Sequence, residues 1–196
     1  MVDVRQDYWD TADVESPELT REQAEEIWAP AALAILTRVA GTYQGLIQYN
    51  ELAAEVQETT GIHTRKQVRS WIGPVLARVT EENEKRDEPP LASLVVNKSD
   101  GTVGVAYDEV LRITGTDGIA DPVLREKHAA EARLRCYQWA GATMPDDGGK
   151  AALSPRYEQI QARLRKERRA AELDAPSICP TCNMSIPPTG LCDNCD

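Results

Sequence analysis

The stretch from Ile47 to Tyr107 places the strongest limit on what this 196-residue chain can fold into. It reads IQYNELAAEV, then GIHTRKQVRSWIGPVLARV, then PPLASLVVNKSDGTVGVAY. Ile47 and Tyr49 alternate as in a short strand. Leu52, Ala53 and Val56 recur at helical spacing, so residues 50–59 should form a helix, and Thr59, Thr60 and Gly61 break it. Thr64 is placed to cap a second helix whose inner face is Val68, Trp71, Ile72, Val75, Leu76 and Val79. Pro74 lies inside that run and predicts a bend or an early end. The charged segment EENEKRDEPP reads as a solvated connector. LASLVVN and TVGVAY then flank KSDG, the pattern of a hairpin with Asp100-Gly101 at or beside its tip.

Strand, helix, turn, helix and hairpin is the order of parts in a winged helix-turn-helix, so the expected fold is mainly α with a small β-hairpin wing. Thr64, Arg65, Lys66, Arg69 and Ser70 would then occupy the leading end of the second helix. Free amides and the helix dipole favour phosphate there. Arg65 and Arg69 are four apart and share a face that can reach base edges, while Lys66 points to a backbone. The wing adds Asn97, Lys98 and Ser99 as minor-groove or phosphate contacts. A net charge of −10 argues against DNA, because neutralisation of phosphates by Lys and Arg provides most non-specific affinity. The charge is segregated, however. Residues 1–30 hold nine acids against Arg5 and Arg21, whereas residues 61–79 hold four bases and no acid. The same asymmetry also suits an interface for an acidic protein.

Ile47, Tyr49, Glu51, Leu52, Ala53, Val68, Pro90, Val95, Val96, Asp100 and Gly101 together resemble the winged-helix half of the alkylguanine-DNA alkyltransferase and alkyltransferase-like proteins. That resemblance covers about sixty residues and implies a DNA-docking geometry. It does not extend to the chemistry. The family's reactive Cys-His-Arg run falls on Leu91-Ala92-Ser93-Leu94, which offers no nucleophile and no base. The family's base-replacing arginine falls at Lys66 or Arg65, depending on a one-residue shift.

Around this core the chain divides into 1–19, an acidic flexible tail with Tyr8 and Trp9 as a candidate docking point; 20–115, the winged helix-turn-helix domain; 116–173, a helical linker region; and 174–196. Thr20 with Gln23 forms a capping box for a helix that buries Ala24, Ile27, Trp28, Ala31, Ala32, Ile35, Leu36 and Val39. Pro30 should kink or split it. A further helix is expected over residues 123–140. Another begins at Ser154-Pro155 and carries six bases in residues 154–172, enough for a second backbone contact.

Four of the five cysteines lie in the last eighteen residues, as Cys179-Pro180-Thr181-Cys182 and, after nine intervening residues, Cys192-Asp193-Asn194-Cys195. Each CxxC pair spans one edge of a tetrahedral ion, and four thiolates close the shell of a structural zinc. Iron is chemically compatible with the same donors. The tail resembles a zinc ribbon, a module that serves either as a folding staple or as a contact for nucleic acid, polymerases or other proteins. With only Ile178, Met184, Ile186 and Leu191 to bury, it needs the metal to fold.

No apolar run approaches the ~20 residues of a membrane span, and the N-terminus lacks a secretory layout. A cytoplasmic protein is expected. His63 and His128 stand in no catalytic arrangement, and Cys136 reads as a small core residue. The expected function is non-enzymatic binding of double-stranded DNA by a regulator of transcription or an accessory factor. The alternative is an adaptor or inhibitor that meets a protein partner, such as RNA polymerase or a nuclease complex, through the ribbon or the acidic N-terminal tail. No heptad or apolar seam fixes an oligomeric state.

Overall fold

The computed structural model describes residues 8–10, 19–174, 178–186, 192, 194 and 195. It divides into two compact units, Met1–Tyr157 and Glu158–Asp196. The described residues are mainly helical.

In the first unit, helix α1 (Arg21–Ala40) starts at Thr20, whose hydroxyl accepts from the Gln23 amide while the Gln23 side chain accepts from the Thr20 amide. Its buried face is Ala24, Glu25, Trp28, Ala32, Ile35, Leu36 and Ala40, and Ile27 stays 40% exposed at the flank. Pro30 does not split the helix. It is exposed, so the missing rung lies on the solvent side, while Trp28 and Ala32 stay buried on the opposite side. Glu25, buried and unexpected from the sequence, is offset by Arg21 at 2.7 Å and Arg78 at 3.8 Å.

Strand β1 (Tyr8–Asp10) pairs antiparallel with a later strand, so these three residues are not the loose tail expected of 1–19. Residues 1–7 and 11–18 lie outside the described residues. Strand β2 (Ile47–Gln48) leads into helix α2 (Tyr49–Thr60), which buries Leu52, Ala53 and Val56 and ends at Gly61 with φ of 70°. Strand β3 (Ile62–Thr64) takes β1 as its partner, and the Ile62 carbonyl accepts from the Trp28 indole at 3.1 Å. The rings of Trp28 and Trp71 pack 4.2 Å apart, fastening α1 to the segment after β3.

Thr64 does not cap a helix. Its hydroxyl accepts from the Lys66 amide, closing a local turn, and the chain passes through one 3₁₀ turn at Val68–Ser70 before helix α3 (Ile72–Lys85) begins. The helix waits for Trp71 and Ile72 because the first deep apolar burial occurs there. Pro74 therefore falls in the first turn, where its missing N–H costs nothing, and α3 continues to Lys85. It also runs through the first half of the charged segment expected as a connector, as far as Lys85. Asn83 is buried near its end, with its side-chain oxygen accepting from the Leu91 amide and its amide donating to Glu88.

A buried 3₁₀ turn, Leu91–Leu94, feeds strand β4 (Val95–Val96), which pairs parallel with β2 in the register Ile47↔Val95 and Gln48↔Val96. The hairpin wing is reduced to a turn. The Asn97 amide donates to the Thr102 carbonyl and the Gly101 amide to the Asn97 carbonyl, but no strand pairs with β4 beyond them among the described residues. The second strand is lost because the next amide, Val103, donates to the Glu126 carboxylate at 2.9 Å, and Gly104 then turns the chain into helix α4 (Tyr107–Ile113).

Helix α5 (Pro122–Trp139), capped by Asp121, packs into the same core through Ala129, Cys136 and Tyr137. Part of the stretch expected as a linker is thus structural. Within it the fully buried Glu126 pairs with Arg133, which also donates to the Ser93 carbonyl at 3.0 Å. Helix α6 (Pro155–Asp174) follows a loop and straddles the limit between the two units.

Replacing Glu126 with Gln leaves the Arg133 charge buried without a counter-ion. The E126Q variant should lose about 3–5 kcal/mol of unfolding free energy in a urea titration, whereas a paired apolar replacement of Glu126 and Arg133 should lose less than either single change.

Candidate nucleic-acid interface and metal centre

A cavity of about 540 Å³ opens where three segments meet, the first turn of α2, the approach to α3, and the turn after β4. Its lining includes Tyr49, Val68, Arg69, Gly73, Asn97, Lys98, Ser99, Gly104 and Val105, and no carboxylate. Four of the eight residues expected to touch DNA, Arg69, Asn97, Lys98 and Ser99, come together here from two stretches of chain nearly thirty residues apart. Thr64, Arg65, Lys66 and Ser70 do not line it. Arg69 and Lys98 are exposed and form no ion pair among the described residues. Arg69 sits on the 3₁₀ turn ahead of α3 rather than on the helix, and Arg65 and Lys66 lie in the loop before that turn.

The opposite wall is polar but uncharged. Tyr49 opens α2, and burial pushes its phenol up to about 12, against the lowering effect of the Gly104 backbone, so it stays neutral. A methyl added at Gly104 would touch the Tyr49 hydroxyl at 3.4 Å and the Asn97 side chain at 3.5 Å, which puts all three at one rim of the cavity. Tyr49 and Gly104 were not among the residues expected to make contact. Their signal in the sequence is slight, a tyrosine at a strand-to-helix junction and a glycine between two valines.

The turn itself is rigidly held. Asp100 accepts from both the amide and the hydroxyl of Thr102. Gly101 has φ of 73°, and a Cβ there would stand 2.3 Å from the Ser154 hydroxyl and 3.1 Å from Cβ of Arg156. Arg156 donates to the Ser99 carbonyl at 2.6 Å, and Ser154 caps the Tyr157 amide. The start of α6 thus packs directly against this turn.

Leu91, Ala92, Ser93 and Leu94, which stand where the alkyltransferases have their reactive run, are buried. Cys136 lies 3.6 Å from the Ser93 hydroxyl, and burial raises its thiol to about 11, leaving it protonated and inert. His128 accepts or donates a hydrogen bond with Tyr107 at 3.0 Å and sits in no nucleophile arrangement.

The second unit contains the four-cysteine cluster. The sulfurs of Cys179, Cys182, Cys192 and Cys195 all lie within 4.8 Å of one another. The Cys179–Cys195 and Cys182–Cys192 separations are 3.7 and 3.4 Å. Thiolates 2.3 Å from a central tetrahedral ion stand about 3.8 Å apart, so the donor set fits such an ion. Each knuckle is shaped by its backbone. The Cys179 amide donates to the Met184 carbonyl, the Asn183 amide donates back to Cys179, and Asn183 takes a left-handed φ of 58°. The Cys182 and Thr181 amides aim at the Cys179 sulfur and lower its thiol to about 6, and the Met184 amide lowers Cys182. The neighbouring sulfurs raise Cys192 and push Cys195 up to about 11, so only the first knuckle favours thiolates before a metal binds. Ile178 and Met184 remain more than half exposed, so the apolar side chains contribute little to holding this segment.

Among the described residues no helix is long and apolar enough to cross a membrane. Comparisons with protein-family models, with curated proteins and with solved structures find no match.

One divalent metal ion per chain is expected by elemental analysis, falling to near zero in a Cys179→Ser, Cys182→Ser double variant. Because the ligands must be deprotonated, metal should be released as the pH is lowered, which a chromogenic chelator will read.

Proposed function

We propose that the Met1–Tyr157 unit is a non-enzymatic module that binds double-stranded DNA, and that the four cysteines hold a structural zinc ion. One observation carries the first reading. Arg69 and the Asn97-Lys98-Ser99 turn, read separately from the sequence as DNA-contacting groups, line a single carboxylate-free cavity on an otherwise acidic chain. Guanidinium and ammonium groups at its edge would meet phosphates, while Tyr49, Asn97 and Ser99 supply neutral hydrogen-bonding groups beside them. The order of strand, helix, loop, helix, buried turn, strand and turn supports a winged-helix-like docking of the kind the alkyltransferase resemblance implies, with a compact turn in place of a two-stranded wing. The absence of a nucleophile at the buried Leu91–Leu94 segment supports binding without alkyl transfer.

In this reading the module acts as a regulator of transcription or an accessory factor in the cytoplasm. A tetrathiolate with a closed shell supports a structural rather than a hydrolytic metal. A separate hollow, lined by Glu81 of α3 and Glu109 of α4 beside Arg78, favours a second reading. There the chain is an adaptor or inhibitor that presents carboxylates to a basic protein surface.

Fluorescence titration of a mixed-sequence duplex at several salt concentrations separates the two. Affinity should fall steeply with salt, and an Arg69→Ala, Lys98→Ala double variant should lower the slope of log K against log salt by about 2. Binding that is absent at low salt, or unchanged in the variant, contradicts the DNA reading at this face.

A further inference from the structure

Helix α6 carries a dense cationic stretch; Glu172, one turn beyond Arg168, lies on the same face and forms no ion pair among the described residues. Between residues 163 and 169 it carries Arg163, Arg165, Lys166, Arg168 and Arg169 against the single acid Glu167. Glu167 is already engaged by Arg163, 3.5 Å away and one turn back. At about 100° per residue, Arg165, Lys166, Arg168 and Arg169 fall within about 160° of the helix circumference, and Arg163 and Glu167 fall outside it. All four are exposed, and none forms an ion pair among the described residues. Arg165 stands three and four residues from Arg168 and Arg169, spacings at which like charges weaken a helix. Glu172 offsets part of this repulsion, and four cations against one acid on the face still favour a polyanion.

The start of the same helix is fixed to the proposed DNA face. Arg156 donates to the Ser99 carbonyl, and Ser154 abuts Gly101 so closely that no side chain fits between them. Arg165 follows Arg156 by nine residues of chain, so the α6 charges are covalently tethered to the Asn97–Ser99 face, which raises their effective concentration toward a duplex bound there.

We infer that Arg165, Lys166, Arg168 and Arg169 form a second site for the phosphate backbone of duplex DNA. The choice of ligand rests on the DNA reading of the Met1–Tyr157 unit. The site carries no base-reading group and adds affinity without sequence preference.

The test uses the full chain with its metal, titrated against a mixed-sequence duplex over a salt series. An R165Q, K166Q, R168Q, R169Q variant should reduce the slope of log K against log salt by about 3 and weaken low-salt binding at least tenfold. R163Q alone should change little, because Glu167 already screens that charge. An R165K, R168K, R169K variant should retain binding, which separates loss of charge from loss of helix. An unchanged slope in the quadruple Gln variant, with binding still lost in the Arg69→Ala, Lys98→Ala variant, overturns the second site and leaves the first. Loss only in the quadruple variant supports α6 and overturns the cavity face. No duplex binding by the native chain overturns both, as does tighter salt-sensitive binding to anionic lipid vesicles than to duplex.

Discussion

The buried pair Glu126–Arg133 is the interaction on which the rest of the first unit depends. A carboxylate and a guanidinium removed from water are tolerable only if their remaining hydrogen-bonding capacity is used. Here it is used on backbone, with Glu126 accepting from the Val103 amide and Arg133 donating to the Ser93 carbonyl. One charge pair on α5 thereby ties down both the segment leading into β4 and the segment leaving the turn after it. That is why the turn takes one shape, why it does not open into a hairpin, and why Gly104 and Val105 lie along the cavity.

Packing and charge divide the labour in this unit. The Trp28–Trp71 contact and the Ile62 carbonyl bond bring α1 against the approach to α3, which sets where Arg69 sits. The β2–β4 pairing brings Tyr49 beside Asn97 and Gly104. Neither contact involves a charged group, so the cationic edge of the cavity is left for a ligand. Carboxylates near the core are consumed internally, Glu25 by Arg21 and Arg78 and Glu126 by Arg133. The net charge of −10 therefore describes the chain and not this face.

Elements that rest on local signals were legible in the sequence. The Thr20 capping box, the Leu52-Ala53-Val56 stripe ended by Gly61, the Ser154-Pro155 start of α6 and the two CxxC knuckles are all set by neighbours within a few residues. Elements that rest on distant partners were not. Thr64 has the chemistry of a helix cap, but pairing of β3 with β1 holds it extended and its hydroxyl turns to Lys66. The TVGVAY segment has the composition of a strand, but its first free amide is taken by a carboxylate more than twenty residues on. Pro74 looked disruptive only because the start of its helix was placed too early. The candidate site divides in the same way. Arg69 and the Asn97–Ser99 turn were readable as polar and basic groups, while their convergence on one cavity with Tyr49 and Gly104 follows from tertiary pairing.

The most direct measurement is an amide chemical-shift titration of the isotope-labelled chain with a short mixed-sequence duplex. DNA docking at the cavity predicts that the largest shifts fall on residues 68–73 and 97–105, with Tyr49 and Asn50 beside them. Shifts concentrated on the acidic faces of α1 and α3, or no shifts at all at low salt, would contradict it.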